Sequence, residues 1–262
     1  MKRKIILWVM LLSLLLTTSL YGCGAAKEES DLAFVQEKGK LVVGITDYAP
    51  MDYKDENGEW TGFDAEFAEA FAEELGVECE FFVLSDWGKK FFELESKNID
   101  VIWNGMTITD EVKLNTNCSN PYVINAQVVV MKADAVANYT TPESLKDLAI
   151  AVESGSAGED AAKALGAANI VAVQDQGAAV MEVAAGTSDA CVIDITMANA
   201  MTGEGTSYAD LTYSLSLTEE QYGVGFRKDS NLTAAFNDFM SKLMADGTLD
   251  ALAEKYSLTL VK

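Results

Sequence analysis

The 262-residue sequence contains no histidine at all. That removes Ser-His-Asp and Cys-His nucleophile systems and the commonest metal ligand. Carboxylate and lysine chemistry remain open. Proline occurs three times, at 50, 121 and 142, and no low-complexity linker divides the chain. Arginine is almost missing: beyond Arg3 the chain has only Arg227. Of four cysteines, Cys23 stands near the start and Cys79, Cys118 and Cys191 are widely spaced, with no CxxC. This is no disulfide framework, and the three later thiols read as small hydrophobes, one bridge among them remaining open. Positive charge is scarce as well: 19 Lys and Arg face 41 Asp and Glu, a formal charge of −22. So acidic a surface repels nucleic acid and anionic lipid.

Long apolar runs are absent except at the start. Lys2, Arg3 and Lys4 precede the run Ile5 to Leu16, then Thr17, Thr18 and Ser19. The run is shorter than the ~20 residues of a spanning helix and has the layout of a secretory signal. Leu20-Tyr21-Gly22-Cys23 resembles a bacterial lipobox, with Tyr21 larger than the usual residue there. We therefore expect a signal peptide over 1–22, a lipidated Cys23 and a polar tether over 23–30. Loss of three cations takes the mature charge from −22 to −25. Two acyl chains on Cys23 give stable anchoring where one is marginal.

Along the mature chain, β-rich runs alternate with helical periodicity. Lys40–Ile45 reads as a strand, and Asp55-Glu56-Asn57-Gly58 as a hairpin turn. Phe63, Phe67, Ala70, Phe71 and Leu75 recur at helical spacing up to a stop at Gly76. Strands follow over 77–84, 99–103 and 127–131, with a helix over 87–97. The pattern then restarts: strands over 148–152, 170–173 and 190–193 alternate with helices over 159–165 and 177–185. A strand over 222–227 and helices over 232–244 and 249–256 close the chain. Such alternation predicts α/β layers with largely parallel sheets.

In open α/β sheets, ligands bind beyond the carboxyl ends of the strands. That rule selects Asp47 and Tyr48, Trp87, Asn104 through Thr107, the small-residue turn Ser154–Gly158, and Asp194. Singly, each has a plain structural reading: a rim aromatic, a turn, a helix cap. Together, at the ends of successive strands, they outline a pocket wall. The turn at 154–158 would present backbone N–H groups and a helix N-terminus to an anion. No lysine follows its glycines, so phosphate transfer is not signalled.

Leu41-Val42-Val43-Gly44 through Tyr48-Ala49-Pro50, Thr61-Gly62-Phe63-Asp64, the run Asn98 to Thr109, Asn120-Pro121-Tyr122, Gly186 to Asp194 and Ala245 to Leu249 resemble, in order, the polar-amino-acid (family 3) solute-binding proteins of ABC importers. The resemblance implies a two-lobe, periplasmic-binding-protein-like (type II) α/β fold. Lobe one would comprise 31–128 plus 224–262 and lobe two 129–223, with crossing hinge strands near Val128–Met131 and Tyr222–Phe226. It implies a lipid-anchored, extracytoplasmic, monomeric receptor that passes a small polar, amino-acid-like solute to a membrane permease, without cofactor, metal or catalysis. Tyr48 and Trp87 would sandwich the ligand. The loop at Gly105 and Thr107 and the turn at Ser156 would hold its carboxylate, Ala157 standing where a hydroxyl residue is common, and Asp47 and Asn104 complete the expected ligand-binding residues. Asp194 would pair with its ammonium. Family members usually carry an arginine carboxylate clamp three residues after the Thr109 position; here that residue is Val112. Either backbone N–H groups at Thr107 and Ser156–Gly158, with Lys113, hold the carboxylate, or the ligand is an amine without one; the first is favoured. A dehydratase-like enzyme on the same fold and a ligand sensor are the competing readings.

Overall fold

A computed structural model of the chain describes residues 30–262; the apolar run Ile5–Leu16 and Cys23 lie outside the described residues. The chain begins with α1 (Asp31–Lys38), β1 (Lys40–Ile45) and a small hairpin of β2 (Tyr53–Lys54) and β3 (Trp60–Thr61). Then come α2 (Phe63–Leu75), β4 (Glu78–Val83), a 3-10 turn at Trp87–Lys89 that runs into α3 (Lys90–Glu95), β5 (Val101–Ile102), α4 (Asp110–Asn115) and β6 (Asn117–Cys118). β7 (Val123–Asn125) leads into β8 (Gln127–Lys132), the short α5 (Pro142–Leu145), β9 (Ala149–Glu153), α6 (Ala157–Leu165), β10 (Asn169–Val173), α7 (Gln176–Ala185), β11 (Ala190–Asp194), α8 (Ile195–Met201) and β12 (Leu211–Ser216). The chain returns through β13 (Glu220–Tyr222) and β14 (Gly225–Phe226) to α9 (Leu232–Asp246) and α10 (Thr248–Lys255).

Two five-stranded sheets result, ordered β4-β1-β5-β14-β6 and β10-β9-β11-β8-β12. In each, three strands are parallel and the strands that carry the chain across, β14 and β8, run antiparallel to their neighbours. The hinge lies earlier than the sequence suggests. β7 and β13 pair antiparallel, Val123 with Tyr222 and Asn125 with Glu220. Val128–Met131 sits inside the second sheet between β11 and β12, and Gly225–Phe226 belongs to the first. The expected strand over 222–227 breaks at Gly223, where a Cβ would come within 2.6 Å of Ile108. Because Gln127–Met131 is fully apolar apart from its first residue, it reads equally as a hinge or a buried strand; its burial on both faces settles it as sheet interior.

Lobe one is organised by the i, i+4 aromatics of α2. Phe67 meets Trp103 edge-on at 5.0 Å, and Phe236 of α9 packs against the same indole at 4.9 Å. The helix ends where Gly76 takes a left-handed conformation that a side chain would strain. At its start, a Cβ on Gly62 (φ 123°) would come within 2.2 Å of the Met51 carbonyl oxygen, so the turn needs glycine. One residue later, the buried Asp64 accepts the Gly105 N–H at 2.6 Å and the Tyr122 hydroxyl at 2.8 Å. Thus the Thr61–Asp64 motif fixes the loop that follows β5. Cys79, Cys118 and Cys191 are all free thiols.

Asp64 has a less comfortable neighbour. Asp52 is fully buried, and neither carboxylate oxygen has a hydrogen-bond partner. Burial and the nearby Asp64 raise its carboxyl well above the ordinary range, and burial pushes Asp64 up to about 7. The folded state therefore holds protons that the unfolded chain releases above about pH 4. Stability must fall as pH rises through the window from about 4 to beyond 7. Melting temperature is expected to be higher at pH 5.5 than at pH 8. Asp52→Asn should raise it at pH 8 and flatten the pH slope; parallel slopes for the two proteins would contradict the assignment.

Candidate ligand-binding site

The ends of β5, β9 and β11 converge between the lobes on a small cavity of about 30 Å³. Nine of the residues selected from sequence line it: Trp87, Asn104, Gly105, Met106, Thr107, Gly155, Ser156, Ala157 and Asp194. Val112, at the position of the expected arginine, lines it too, so that position does face the cleft. A much larger open groove of about 1320 Å³ runs along the hinge past Pro121, Ile124 and Glu220; only Thr107 and Thr109 border both. Asp47 and Tyr48 do not line the small cavity. Asp47 is exposed, and Tyr48 is buried beneath Gly105, its hydroxyl bonded to Tyr222 at 2.5 Å and Thr196 at 2.6 Å. An aromatic sandwich of Tyr48 and Trp87 is therefore not what this geometry presents.

Several predicted donors are already engaged. Asn104 accepts the Thr46 N–H at 2.8 Å and donates to its hydroxyl at 2.7 Å, tying the ends of β1 and β5 together. The Gly105 N–H is taken by Asp64, and the Thr107 hydroxyl donates to Glu220 at 3.0 Å. At the 154–158 turn, Ser156 caps α6 by accepting the Glu159 N–H at 3.1 Å. The Glu159 carboxylate accepts the Gly155 N–H at 2.7 Å. Lys113 is exposed, borders the large groove and stands 3.7 Å from Asp110, so it does not supply the missing cation. Arg227 does not either. It follows β14 in the first sheet, buried between Asp31 at 3.0 Å and Asp100 at 3.3 Å, and braces the first lobe.

Asp194 is the best-organised acid of the site. It ends β11, is 4 % exposed, and accepts hydrogen bonds from the carboxamides of Asn125, Gln127 and Gln176. Gln176 also accepts the Asp194 N–H at 2.9 Å, which fixes the carboxamide's orientation. Burial nonetheless outweighs these donors and raises the carboxyl to about 6. The same Asn125 and Gln127 groups reach Glu220 at 3.2 and 2.9 Å, so one polar network joins the cleft to the hinge strands.

Two charged residues that the sequence reading missed complete the cavity. Lys90, at the start of α3, is 4 % exposed and lies over the rings of Trp87 and Phe91 at 4.9 and 4.7 Å. Burial pulls its ammonium below the ordinary lysine range, against the upward pull of Glu111 and Glu153. Glu153, at the end of β9, is 4 % exposed and its Oε1 has no hydrogen-bond partner. Burial first, then Asp194 and Asp175, raises its carboxyl to about 8. The signal for Glu153 was present, since it ends a strand of the second unit; for Lys90 only its position three residues after Trp87 could have pointed inward.

The lobes meet directly at this cavity. Lys90 of the first lobe donates to the Gly155 carbonyl of the second at 3.1 Å. Gly88 and Gly155 touch by backbone: a Cβ on Gly155 would lie 2.7 Å from the Gly88 Cα. The cavity has room for one or two waters. Admission of a solute of amino-acid size requires the lobes to part.

Two α/β lobes on a two-strand hinge, with buried charges converging between them, define a hinged binding protein. Residues 41–259 match the family model of bacterial extracellular solute-binding proteins, family 3, and the chain belongs to that family. It is similar to the L-cystine-binding protein TcyJ of Escherichia coli (strain K12), 30% identical over 232 residues that cover 87% of this chain and 86% of that protein. Among solved structures, a mutant of ArgBP from T. maritima superposes with a TM-score of 0.80 at 32% identity, over 86% of this chain and 98% of that one. The ancestral amino acid-binding protein AncCDT-1, a precursor of cyclohexadienyl dehydratase, gives a TM-score of 0.79 at 33% identity, over 87% and 99%. Among the described residues no helix is long and apolar enough to cross a membrane.

The Gly88–Gly155 contact makes closure testable. Gly155 has φ +72°, so Gly155→Ala adds strain of roughly 1 kcal/mol as well as a clash across the cleft. The variant should stay folded but rest more open, with a larger radius of gyration by small-angle X-ray scattering. An unchanged radius would show that the lobes do not close through this contact.

Proposed function

We propose that this protein is the capture component of an ABC import system for an amino-acid-like solute. It stands outside the cytoplasmic membrane, tethered through lipidated Cys23, and delivers its ligand to a permease. The observation that carries the amino-acid reading is Asp194: a buried carboxylate, oriented by three carboxamides, at the meeting of two hinged lobes. A buried ionised carboxylate is costly without a positive partner, and a ligand ammonium supplies one. The family and the amino-acid-binding relatives support the same reading. The tether rests on the sequence from Lys2 to Cys23. Closure around the solute buries it and creates the outer surface that a permease reads.

A thermal-shift panel of L-amino acids, amines, small peptides and sugars tests the reading. A ligand at 100 times its Kd stabilises by about 2.7 kcal/mol, a shift of roughly 5–10 °C for a chain of this size. Shifts confined to sugars or peptides would overturn the amino-acid assignment. With an amino-acid ligand in hand, Asp194→Asn is expected to weaken binding by about 2–5 kcal/mol, because the ligand ammonium would lose its buried partner. Unchanged affinity by calorimetry would remove Asp194 from the site.

A further inference from the structure

Lys90 is in a costly place. Its ammonium is buried, sits at the N-terminal end of a helix where the dipole disfavours a cation, and makes no ion pair. Its hydrogen-bond acceptors are two neutral carbonyls, Trp87 O at 3.4 Å and Gly155 O at 3.1 Å. An apolar side chain would pack against Trp87 and Phe91 without these costs. Glu153 is the mirror case: a buried carboxyl facing the same cavity with an oxygen left unpartnered. Buried polar groups are normally satisfied, and an ammonium without a counter-ion beside a carboxyl with an unpartnered oxygen in one cleft points to a ligand that satisfies both. Among the described residues lining the cavity, Lys90 is the one basic group, against Glu111, Glu153, Asp160 and Asp194, a formal balance of −3. A ligand of net positive charge is favoured by that field.

We propose that Lys90 holds the ligand's carboxylate in place of the arginine lost at Val112, and that Glu153 takes a second cationic group beyond the ammonium bound by Asp194. Resting on the amino-acid reading above, this makes the ligand a diamino monocarboxylic acid or guanidino equivalent. Both Lys90 and Val112 line the cavity; Val112 packs in one apolar cluster with Trp87, Phe91 and Met106, and the Lys90 ammonium lies over the Trp87 and Phe91 rings of that cluster, so the cation stands beside the position of the lost arginine. Lysine offers a point charge where arginine would offer a planar fork, so the carboxylate is held by one strong contact and closed over by Gly155.

The test is calorimetry on the wild type, Lys90→Met and Glu153→Gln. The probes are L-arginine, L-lysine and L-ornithine, their decarboxylated amines agmatine, cadaverine and putrescine, and the neutral amino acids. Wild type should prefer a basic amino acid to both its amine and its neutral counterparts. Lys90→Met should weaken the basic amino acid roughly 30-fold or more and bring the ratio to its amine towards one. Glu153→Gln should likewise collapse the ratio of basic to neutral amino acids. Each change removes an uncompensated buried charge at similar volume, so folding is preserved and melting curves check it. A structural role would weaken all probes alike, leave both ratios intact and overturn the proposal. Wild type that binds neutral amino acids at least as tightly as basic ones would sink this inference while the amino-acid reading stands. Binding of no amino acid at all would sink both.

Discussion

The site depends on one constraint: a carboxylate, Asp194, is held inside the protein by neutral carboxamides. Asn125, Gln127 and Gln176 supply the donors, and two of these stand at the hinge end of the second lobe. Neutral donors orient a charge without cancelling it, so its carboxyl stays raised to about 6. The cleft is thereby left short of positive charge, which a ligand can bring. Because Asn125 and Gln127 also bind Glu220, and Glu220 binds Thr107, the acid, the hinge and the first-lobe loop are one connected network. A change of partner at Asp194 reaches the hinge through two side chains.

Buried charges answered within a lobe differ from those that face the cleft. Arg227 is buried too, yet it is enclosed by Asp31, Asp100 and two carbonyls, so its charge is answered within the first lobe. Lys38 adds to this cluster at 2.5 Å from Asp100. Lys90 has aromatic faces and two carbonyls but no counter-ion. Asp52 and Asp64 form an unanswered acidic pair as well, but they lie behind the Gly105 loop and line neither the small cavity nor the hinge groove, so their cost falls on stability.

Much of this was legible in the sequence. The α/β alternation and α2 with its Gly76 stop follow from periodicity, the rule about strand ends selects residues that line the small cavity, and the two lobes follow from the family resemblance. An apolar run does not reveal whether it crosses between lobes or lies within one, so the pairing of β7 with β13 is not legible from the run at 127–131. An aromatic after a strand end can face a ligand or the layer beneath it, and the glycine at 105 leaves room for the Tyr48 ring under the loop. Backbone donors at Gly105 and Gly155 were counted as available because nothing in the sequence says that Asp64 and Glu159 take them first. Lys90 was passed over since a lysine in a charged helix normally points to water.

Closure can then be understood as a competition between like and unlike charges. Glycines at 88 and 155 let the two backbones touch, and Lys90 bonds a carbonyl across the gap, so the lobes make contact with little side-chain cost. Against this stands the acidity of the cleft: burial and then Asp175 across the gap raise the Asp47 carboxyl, while burial and then Asp194 on the same wall raise Glu153. On the proposal made above, a cationic solute would answer that acidity at the moment of closing, and an anionic group on it would answer Lys90. Differential binding to the closed form is the only means by which a ligand can shift such an equilibrium. On the proposal made above, the unpaired charges would couple capture to closure.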